Sequence, residues 1–362
     1  MFSCVVVGGS GFLGQALVQR LAVNKNKWER IVVFDIKNVT QSRGTGAVVF
    51  QQGDIRRQDD LVAAFKDASV VFHCATAAPS AENAKNKEIM YTVNVEGTRN
   101  VIEACKICHV RSLIYVSSAS VVFRGQDLEG VDESIQIPKR HVDFYTETKA
   151  IAERAVLDAN SSQLHTCCLR PSGIFGERDP LFVPTLISNA RKGKMKYYIG
   201  DGTNRMDWTF VDNVAYALEL AADGLQQSSQ RIGGQVYFIT NDDARPFWGF
   251  LGDILQGLGY ASHSSHELII SYQELCRYSR PTRRLPFWLI YILSWLFLWF
   301  SRLISPWIQL ESDFTPFRIL LSVRNRRVSC EKAKRELGYK PIVSMEEGLQ
   351  RTIAYFSFLR NP

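Results

Sequence analysis

A glycine-rich turn near the N-terminus limits the fold more than any other feature of the chain. Gly8, Gly11 and Gly14 lie in the stretch VVVGGSGFLG, after strand-forming residues and before a helical pattern. The first glycine permits a tight turn, the second lets the backbone approach a pyrophosphate, and the third lets helix and strand pack closely. Because the triplet joins a predicted strand to a predicted helix, it predicts a dinucleotide-binding βαβ unit.

Strand and helix patterns alternate through the first half of the chain. The predicted strands are SCVVVGG, RIVVFDI, AVVFQQGDI, SVVFHCA, SLIYVSSAS and HTCCLRPSGIFG, with helical segments between them. This order predicts an α/β fold with a Rossmann-type, doubly wound parallel sheet. We expect a nucleotide-binding domain at 1–180, a smaller substrate lobe at 181–285, a hydrophobic membrane segment at 286–310 and a C-terminal part at 311–362 that packs back on the catalytic domain.

The bulk composition limits the classes of partner. The 362 residues have a net charge of +7 and no long basic tract, which does not favour nucleic acid. The eight cysteines are scattered, so we expect reduced thiols in a cytosol-facing protein. The string from Cys105 to His109 matches the pattern for c-type haem attachment, but its helical periodicity indicates the end of a packed helix.

A carboxylate follows the second predicted strand. Asp35 lies where it would bind the adenosine ribose hydroxyls and repel a 2′-phosphate, so we expect NAD. Lys37 lies nearby and keeps NADP as the alternative. Asp54, after the third strand, is expected to accept a hydrogen bond from the adenine amino group, or else to cap a helix. The other expected cofactor contacts beside these motifs are Phe12, Leu13 and Ile55.

Three residues form a candidate catalytic group for hydride transfer. Tyr145 and Lys149 are four residues apart in a helical pattern and share one helix face, although such a pair also occurs on exposed helices. Ser118 ends the fifth strand, at the sheet edge where ligands bind. Oxidation of an alcohol needs a base for the hydroxyl proton, and a neighbouring ammonium would lower the tyrosine pKa from about 10. Ser118 would orient the substrate oxygen, with Ser117 and Ser120 as lower-ranked alternatives.

Together these motifs resemble the extended short-chain dehydrogenase/reductase superfamily, and within it the 3β-hydroxysteroid dehydrogenase group. The resemblance continues through RPSGIFGERDP, FVDNVAYALELAA and CEKAKRELGYKP, and so spans nearly the whole chain. It implies that Tyr145 is the acid/base and that Lys149 also holds the nicotinamide ribose. It also implies a proton-relay residue and loop residues that meet the cofactor, namely Asn94, Ala75, Thr76, Pro171 and Ser172.

The substrate is suggested by strings that resemble one branch of this group. VFHCATAAPS, SSASVVF, YTETKAIAERAVL and ITNDDARPFWGFL are similar to enzymes that oxidise 4α-carboxysterols during sterol C4 demethylation. The resemblance implies hydride transfer from C3 to NAD, then loss of carbon dioxide from a β-keto acid, with no metal. Val121-Val-Phe123 replaces the VYG of many sugar-modifying members, which counts against a nucleotide sugar. Arg178 or Lys149 is suggested to meet the 4α-carboxylate.

An uncharged stretch of fifteen residues, PFWLIYILSWLFLWF, begins at Pro286. As a helix it would reach about 22 Å, less than the roughly 30 Å of bilayer hydrocarbon. Basic residues lie on both sides, so charge gives no clear orientation for a single span. We expect a monotopic membrane anchor, with a full span or a buried core helix as the alternatives.

The rival functions are a 3β-hydroxysteroid dehydrogenase/isomerase, a nucleotide-sugar epimerase and a catalytically idle NAD-sensing scaffold. The first would need a second site for double-bond migration, which we cannot identify in the sequence. The resemblance implies a location on the cytosolic side of the endoplasmic reticulum membrane or on lipid droplets. It also implies other sterol C4-demethylation enzymes as partners, and a homodimer formed through the helix from Phe144 to Asn160.

Overall fold

The computed structural model describes residues 2–24, 26–37, 47–78, 86–260, 283–304 and 315–360. Residues 305–310 of the predicted membrane segment lie outside the described residues. The strands are β1 Phe2–Val7, β2 Trp28–Asp35, β3 Val48–Gln52, β4 Val70–His73, β5 Ser112–Val116, β6 Leu128–Val131, β7 His165–Pro171, β8 Ile174–Phe175, β9 Tyr197–Ile199, β10 Arg205–Met206, β11 Thr209–Phe210, β12 Gln235–Ile239, β13 Arg245–Pro246, β14 Arg283–Leu285 and β15 Arg326–Val328.

The helices follow the strands along the chain in the alternating order that the sequence predicts. They are α1 Phe12–Val23, α2 Gln58–Phe65, α3 Lys87–Tyr91, α4 Gly97–Ile107, α5 Phe144–Asp158, α6 Phe182–Arg191, α7 Val211–Gln227, α8 Ser229–Ile232, α9 Phe247–Gly257, α10 Phe287–Ile304, α11 Pro316–Val323, α12 Glu331–Leu337 and α13 Met345–Tyr355. A π-helical turn, Thr92–Glu96, joins α3 to α4. Helix α4 ends at Ile107 with Cys108 as its C-cap residue, so the haem-like string is the end of a helix, as predicted.

The described residues form a seven-stranded parallel sheet in the order β12-β7-β5-β4-β1-β2-β3. The predicted doubly wound parallel sheet is therefore confirmed. Its central strands are buried on both faces, and in β1 the side chains from Cys4 to Val7 have no exposed surface. Such continuous apolar runs are typical of parallel strands that helices cover on both sides. The strand order reverses between β1 and β4, and this point is where such sheets bind ligands.

Helices cover both faces of the sheet. On one face α1 packs against α7, and the core there includes Leu17 and Leu218. On the other face α4 packs against α2 and α5, around Phe65 and Val156. Helix α5, which carries Tyr145 and Lys149, thus contacts both strand β7 and helix α4.

A small second sheet brings distant parts of the chain together. Strand β15, near the C-terminus, pairs with β10 on one side and with β6 on the other, although both of these strands come much earlier in the chain. Helix α12 packs against β12 and α7. The C-terminal part therefore contacts the parallel sheet, whereas the predicted domain boundaries stay predictions.

Helix α10 contains the uncharged stretch and packs against α11. Several of its large apolar side chains are exposed, and Trp288 and Trp299 each keep 64% of their surface accessible. Within the described ranges, the structure has no helix of sufficient length and apolar character to cross a membrane. The membrane anchor stays a prediction.

A buried ion pair ties α5 to β7. The Arg170 guanidinium donates to both carboxylate oxygens of Glu153, through Nε at 2.9 Å and an Nη at 2.5 Å. The side chains keep only 4% and 0% of their surface exposed. Removal of one partner from such a pair leaves a buried charge without compensation, which costs several kcal/mol.

We expect Glu153→Ala to lower the free energy of unfolding by about 3–5 kcal/mol, because it strands the Arg170 charge. The matched control is Glu103→Ala, which removes a half-exposed partner of Lys106 and should cost less than about 1 kcal/mol. Urea unfolding followed by circular dichroism measures both values. Equal losses in the two variants would contradict the account of the α5–β7 contact.

Candidate active site

The backbone around Gly8 and Gly14 is packed too closely for any side chain at these two positions. Gly8 has a φ of +79°, and a Cβ there would lie 2.6 Å from the backbone nitrogen of Ala75. A Cβ at Gly14 would lie 2.1 Å from the carbonyl oxygen of Gly8. Gly11 is the N-cap residue of α1, so the N-terminal end of that helix faces the turn. This geometry is a cradle for a phosphate group.

A cavity of about 700 Å³ opens at the carboxyl edge of the sheet, beside this turn. It contains the catalytic candidates Ser118, Tyr145 and Lys149. Most of the residues predicted to bind the cofactor line it as well: Gly8, Gly11, Phe12, Leu13, Gly14, Asp35, Asp54, Ile55, Ala75, Thr76, Tyr145, Lys149 and Pro171.

Two carboxylates stand at the end of the cavity that is formed by β2 and β3. Asp35 accepts a hydrogen bond from the Ser10 amide at 3.0 Å, which fixes its carboxylate beside the glycine turn. Asp54 pairs with Arg56, and this hydrogen bond lowers the pKa of the Asp54 carboxyl. The alternative of Asp54 as a helix cap is wrong, because Arg57 occupies the N-cap position of α2.

Lys149 lies almost fully buried between α5 and β5. Its ammonium group donates to the carbonyl oxygen of Val116 at 2.5 Å and lies 4.2 Å from the centroid of the Tyr115 ring. Burial lowers the pKa of Lys149 to about 7, against an opposing effect of the Glu153 carboxylate. The side chain is therefore held in one place at the base of the cavity.

The pKa of Tyr145 departs from the direction that the sequence predicts. Burial and, to a smaller extent, the nearby Asp143 carboxylate raise the pKa of Tyr145 to about 12, although a hydrogen bond with Thr76 acts to lower it. The expectation that Lys149 holds this pKa below its usual value is wrong for this structure. The physical reason is that the phenol is buried and adjoins the Asp143 carboxylate, while the Lys149 ammonium is hydrogen bonded to Val116.

The three serines after β5 have different environments. The hydroxyl groups of Ser118 and Ser120 lie 2.8 Å apart, and Ser118 caps the short 3₁₀ turn that follows the strand. Both Ser117 and Ser118 line the large cavity. Ser117 is buried and its hydroxyl has no hydrogen-bond partner among the described residues. Ser118 thus combines access to the cavity with a hydrogen-bonded neighbour.

Asn94 lies behind the cavity, in the π-helical turn. Its Oδ1 accepts hydrogen bonds from the Thr76 hydroxyl at 3.1 Å and from the Ala77 amide at 2.8 Å. Its Nδ2 donates to the Thr148 hydroxyl at 3.0 Å. π-Helical turns are rare and frequently mark functional sites. Asn94 therefore connects the loop after β4 to helix α5, and it holds the threonine that hydrogen bonds with Tyr145.

Two predicted residues occupy other positions. Ser172 is buried and its hydroxyl donates to the carbonyl oxygen of Asp207 at 2.8 Å, so it supports the loop after β7 without lining the large cavity. Arg178 is exposed and lies against α1, where a suitably oriented Gln19 amide accepts from its guanidinium at 2.6 Å. Arg178 does not line the cavity either, so its suggested contact with a substrate carboxylate is wrong for this structure.

Sequence reasoning missed the residues that close the cavity from the C-terminal half. Pro180, Leu181 and Phe182 line it at the start of α6, where the buried Asp179 carboxylate accepts from three backbone amides. An Asp ahead of an apolar helical run is a capping signal that could have indicated this helix start. Its placement against the cavity depends on contacts between distant segments.

The chain belongs to the 3-beta hydroxysteroid dehydrogenase/isomerase family, whose model matches residues 5–270. The predicted family is therefore confirmed. The sterol-4-alpha-carboxylate 3-dehydrogenase, decarboxylating, of Mus musculus is 43% identical over 359 residues, which cover 99% of this chain and 91% of that protein. The enzyme of the same description from Saccharomyces cerevisiae is 37% identical over 365 residues, which cover 98% and 97%.

Solved structures show the same fold at lower identity. The structure titled gox2253 aligns with a TM-score of 0.73 at 23% identity, covering 98% of both chains. MoeE5, solved in complex with UDP-glucose and NAD, aligns with a TM-score of 0.68 at 24% identity over 98% of both chains. These similarities confirm the Rossmann-type α/β fold.

A pH experiment tests the site electrostatics. Asp143 caps α5 by accepting from the Thr146 amide at 2.6 Å, and an asparagine can replace it in that role. Asp143→Asn removes the charge that raises the Tyr145 pKa. A base must be deprotonated to act, so the rising limb of the plot of kcat/KM against pH should move to lower pH.

The control variant is Glu147→Gln, an exposed change on the same helix, for which we expect no such movement. An unmoved limb in Asp143→Asn would contradict this account.

Proposed function

We propose that the protein oxidises the 3β-hydroxyl group of a 4α-carboxysterol to the ketone, with NAD as the acceptor and loss of carbon dioxide at C4. One observation carries the proposal: Ser118, Tyr145 and Lys149 line the same cavity as the glycine turn. Relatives described as sterol-4-alpha-carboxylate 3-dehydrogenase, with identities of 35–43% over nearly the full chain, support the choice of substrate.

The residues at the sheet edge fit a nicotinamide dinucleotide. The space at Gly8 and Gly14 suits the pyrophosphate, and Asp35 suits the ribose hydroxyls. Arg56 lines that end of the cavity and is already paired with Asp54, whereas Lys37, whose backbone amide donates to Asp35, keeps NADP as the alternative. These contacts favour NAD over NADP. The bound cofactor would accept the hydride that leaves C3.

Tyr145 is the proposed base for the hydroxyl proton, and Ser118 the group that orients the substrate oxygen. Thr76 and Asn94 are hydrogen bonded to one another beside Tyr145, and they hold it in place for this transfer. Lys149 is held at the base of the cavity by the carbonyl oxygen of Val116, and its proposed role is to bind the nicotinamide ribose.

The carbon dioxide is lost because oxidation converts the substrate into a β-keto acid. When the bond from C4 to the carboxyl carbon breaks, its electron pair moves into a double bond between C3 and C4, and the ketone oxygen becomes an enolate. Tyr145, protonated in the first step, lies where it can return that proton. No metal is needed for this step.

A substrate comparison tests the proposal. Wild-type protein should form NADH with a 4α-carboxysterol, and mass spectrometry should show a 3-ketosterol one carbon shorter. Tyr145→Phe keeps the ring but removes the acid/base hydroxyl, and should lower kcat by about 10³-fold. NADH formation with pregnenolone alone would instead support the steroid dehydrogenase/isomerase alternative. Turnover of UDP-glucose alone would support an epimerase, and NAD binding without any turnover would support a sensing scaffold.

We also propose that α10 attaches the protein to a lipid surface, at the endoplasmic reticulum or on lipid droplets. Exposed tryptophans, such as Trp288 and Trp299, alternate with exposed leucine and isoleucine on this helix. Tryptophan favours the interface between membrane and water. A sterol substrate is itself held in lipid, so attachment would bring the active site to it. The homodimer and the partner enzymes stay predictions.

Vesicle flotation tests this attachment. We expect Leu296→Glu together with Trp299→Glu to lower binding to phosphatidylcholine vesicles by at least about tenfold, because two exposed apolar side chains that would be buried in the lipid are lost. Phe358→Glu is the matched control, since Phe358 is 70% exposed outside α10. Equal binding by the double variant and wild type would exclude α10 as the attachment site.

A further inference from the structure

A second cavity, of about 150 Å³, adjoins the catalytic serine. Ser118, Pro171 and Gly173 line both this cavity and the large one, so the two spaces meet at the end of β5 and the loop after β7. Its other walls are mainly apolar and include Phe123 and Leu321. The large cavity accounts for the expected cofactor contacts, so the second space is suited to the part of the substrate nearest the reacting carbon.

Arg326 contributes a cation to this second cavity. An Nη group of its guanidinium donates to the carbonyl oxygen of Leu321 at 3.0 Å, and the guanidinium carbon lies 5.6 Å from the centroid of the Phe247 ring. Its Nε is buried and has no hydrogen-bond partner in the described part of the chain. Burial lowers the pKa of Arg326 to about 10, which leaves the side chain charged at neutral pH.

A buried guanidinium normally pairs with a carboxylate, because desolvation of an unpaired charge is costly. Within the described ranges, no Asp or Glu forms an ion pair with Arg326, although its exposed neighbour Arg327 pairs with Glu129. Strand β15 holds Arg326 in place, since its carbonyl accepts from the Asp207 amide at 3.1 Å. The fold thus places a guanidinium without a carboxylate partner among the described residues in the wall of the cavity that Ser118 also lines.

The other cations that line the two cavities have partners of their own. Arg56 lies at the adenosine end and pairs with Asp54. Lys149 donates to the carbonyl oxygen of Val116. Among the described residues that line the two cavities, Arg326 is therefore the cation whose Nε group has no hydrogen-bond partner. It lines the small cavity, which we assign to the substrate.

We infer that Arg326 binds the 4α-carboxylate of the substrate and so selects carboxysterols over neutral sterols. This inference rests on the proposed function. The 3β-oxygen and the 4α-carboxylate are on adjacent carbons, so a group that binds the carboxylate must lie close to the serine that orients the oxygen. The small cavity shared by Ser118 and Arg326 meets that requirement. Guanidinium groups suit carboxylates because they donate two parallel hydrogen bonds.

The test compares a 4α-carboxysterol with the matched 4α-methylsterol, which is used as a competitive inhibitor and so needs no turnover. For Arg326→Gln we expect kcat/KM on the carboxysterol to fall by about 100-fold, mainly through KM, because a buried charge pair is lost. The inhibition constant of the 4α-methylsterol should stay within about twofold, since apolar contacts determine it. Arg327→Gln is the matched control and should change neither value.

Two further readouts separate carboxylate binding from a purely structural role. Arg326→Met should melt at the same or a higher temperature than wild type, because it removes an unpaired buried charge. A lower melting temperature, or an equal loss on both sterols, would show that Arg326 supports the fold and would overturn the inference. Arg326→Lys keeps the charge but not the paired donors, and should retain part of the selectivity.

The proposed function and this inference fail in different ways. If wild type forms no NADH with the carboxysterol, the proposed function fails. Binding of the carboxysterol and the methylsterol, measured by quenching of tryptophan fluorescence, then still tests Arg326. A preference of wild type for the carboxysterol that disappears in Arg326→Gln supports the inference, and an unchanged preference overturns it.

Discussion

The burial of the Lys149 ammonium is the constraint on which the rest of the site depends. A charge can remain in the protein interior only if polar groups replace the water that it loses. The carbonyl oxygen of Val116, the ring face of Tyr115 and the more distant carboxylate of Glu153 perform that role. These groups belong to β5 and α5, so the same contacts fix the catalytic helix against the strand end. Tyr145 and Ser118 then line one cavity.

The proposed function divides the reaction between two cavities at the carboxyl edge of the sheet. The large cavity runs from the β1–α1 turn to Pro171 and suits the cofactor, while the small one continues past Ser118 to Arg326. Hydride transfer needs the alcohol carbon at the junction of the two spaces. Strand β15 supplies Arg326 and Val328 to the wall of the small cavity, so the proposal assigns the C-terminal part of the chain a role in substrate selection.

Local motifs account for what the sequence could predict. The glycine turn, Asp35 and the Tyr145–Lys149 pair follow from spacing within a strand–turn–helix unit, and hydrophobic periodicity indicated the parallel sheet. The direction of the Tyr145 pKa could not be predicted, because it depends on how deeply the ring is buried beside Asp143. The suggested contact between Arg178 and the substrate carboxylate was wrong because the packing of distant segments directs this side chain to Gln19 on α1 and not to the cavity. Arg326 lines the same cavity as Ser118 because β15 pairs with β6, about 200 positions earlier in the chain, which no local pattern encodes.

The account centres on coupled oxidation at C3 and loss of carbon dioxide at C4, catalysed at this sheet edge. The most direct measurement uses a 4α-carboxysterol labelled with deuterium at the 3α position, incubated with the protein and NAD. We predict one deuterium in the reduced nicotinamide for each 3-ketosterol that has lost its carboxyl carbon. Reduced cofactor without deuterium, or carbon dioxide released without cofactor reduction, would contradict the account.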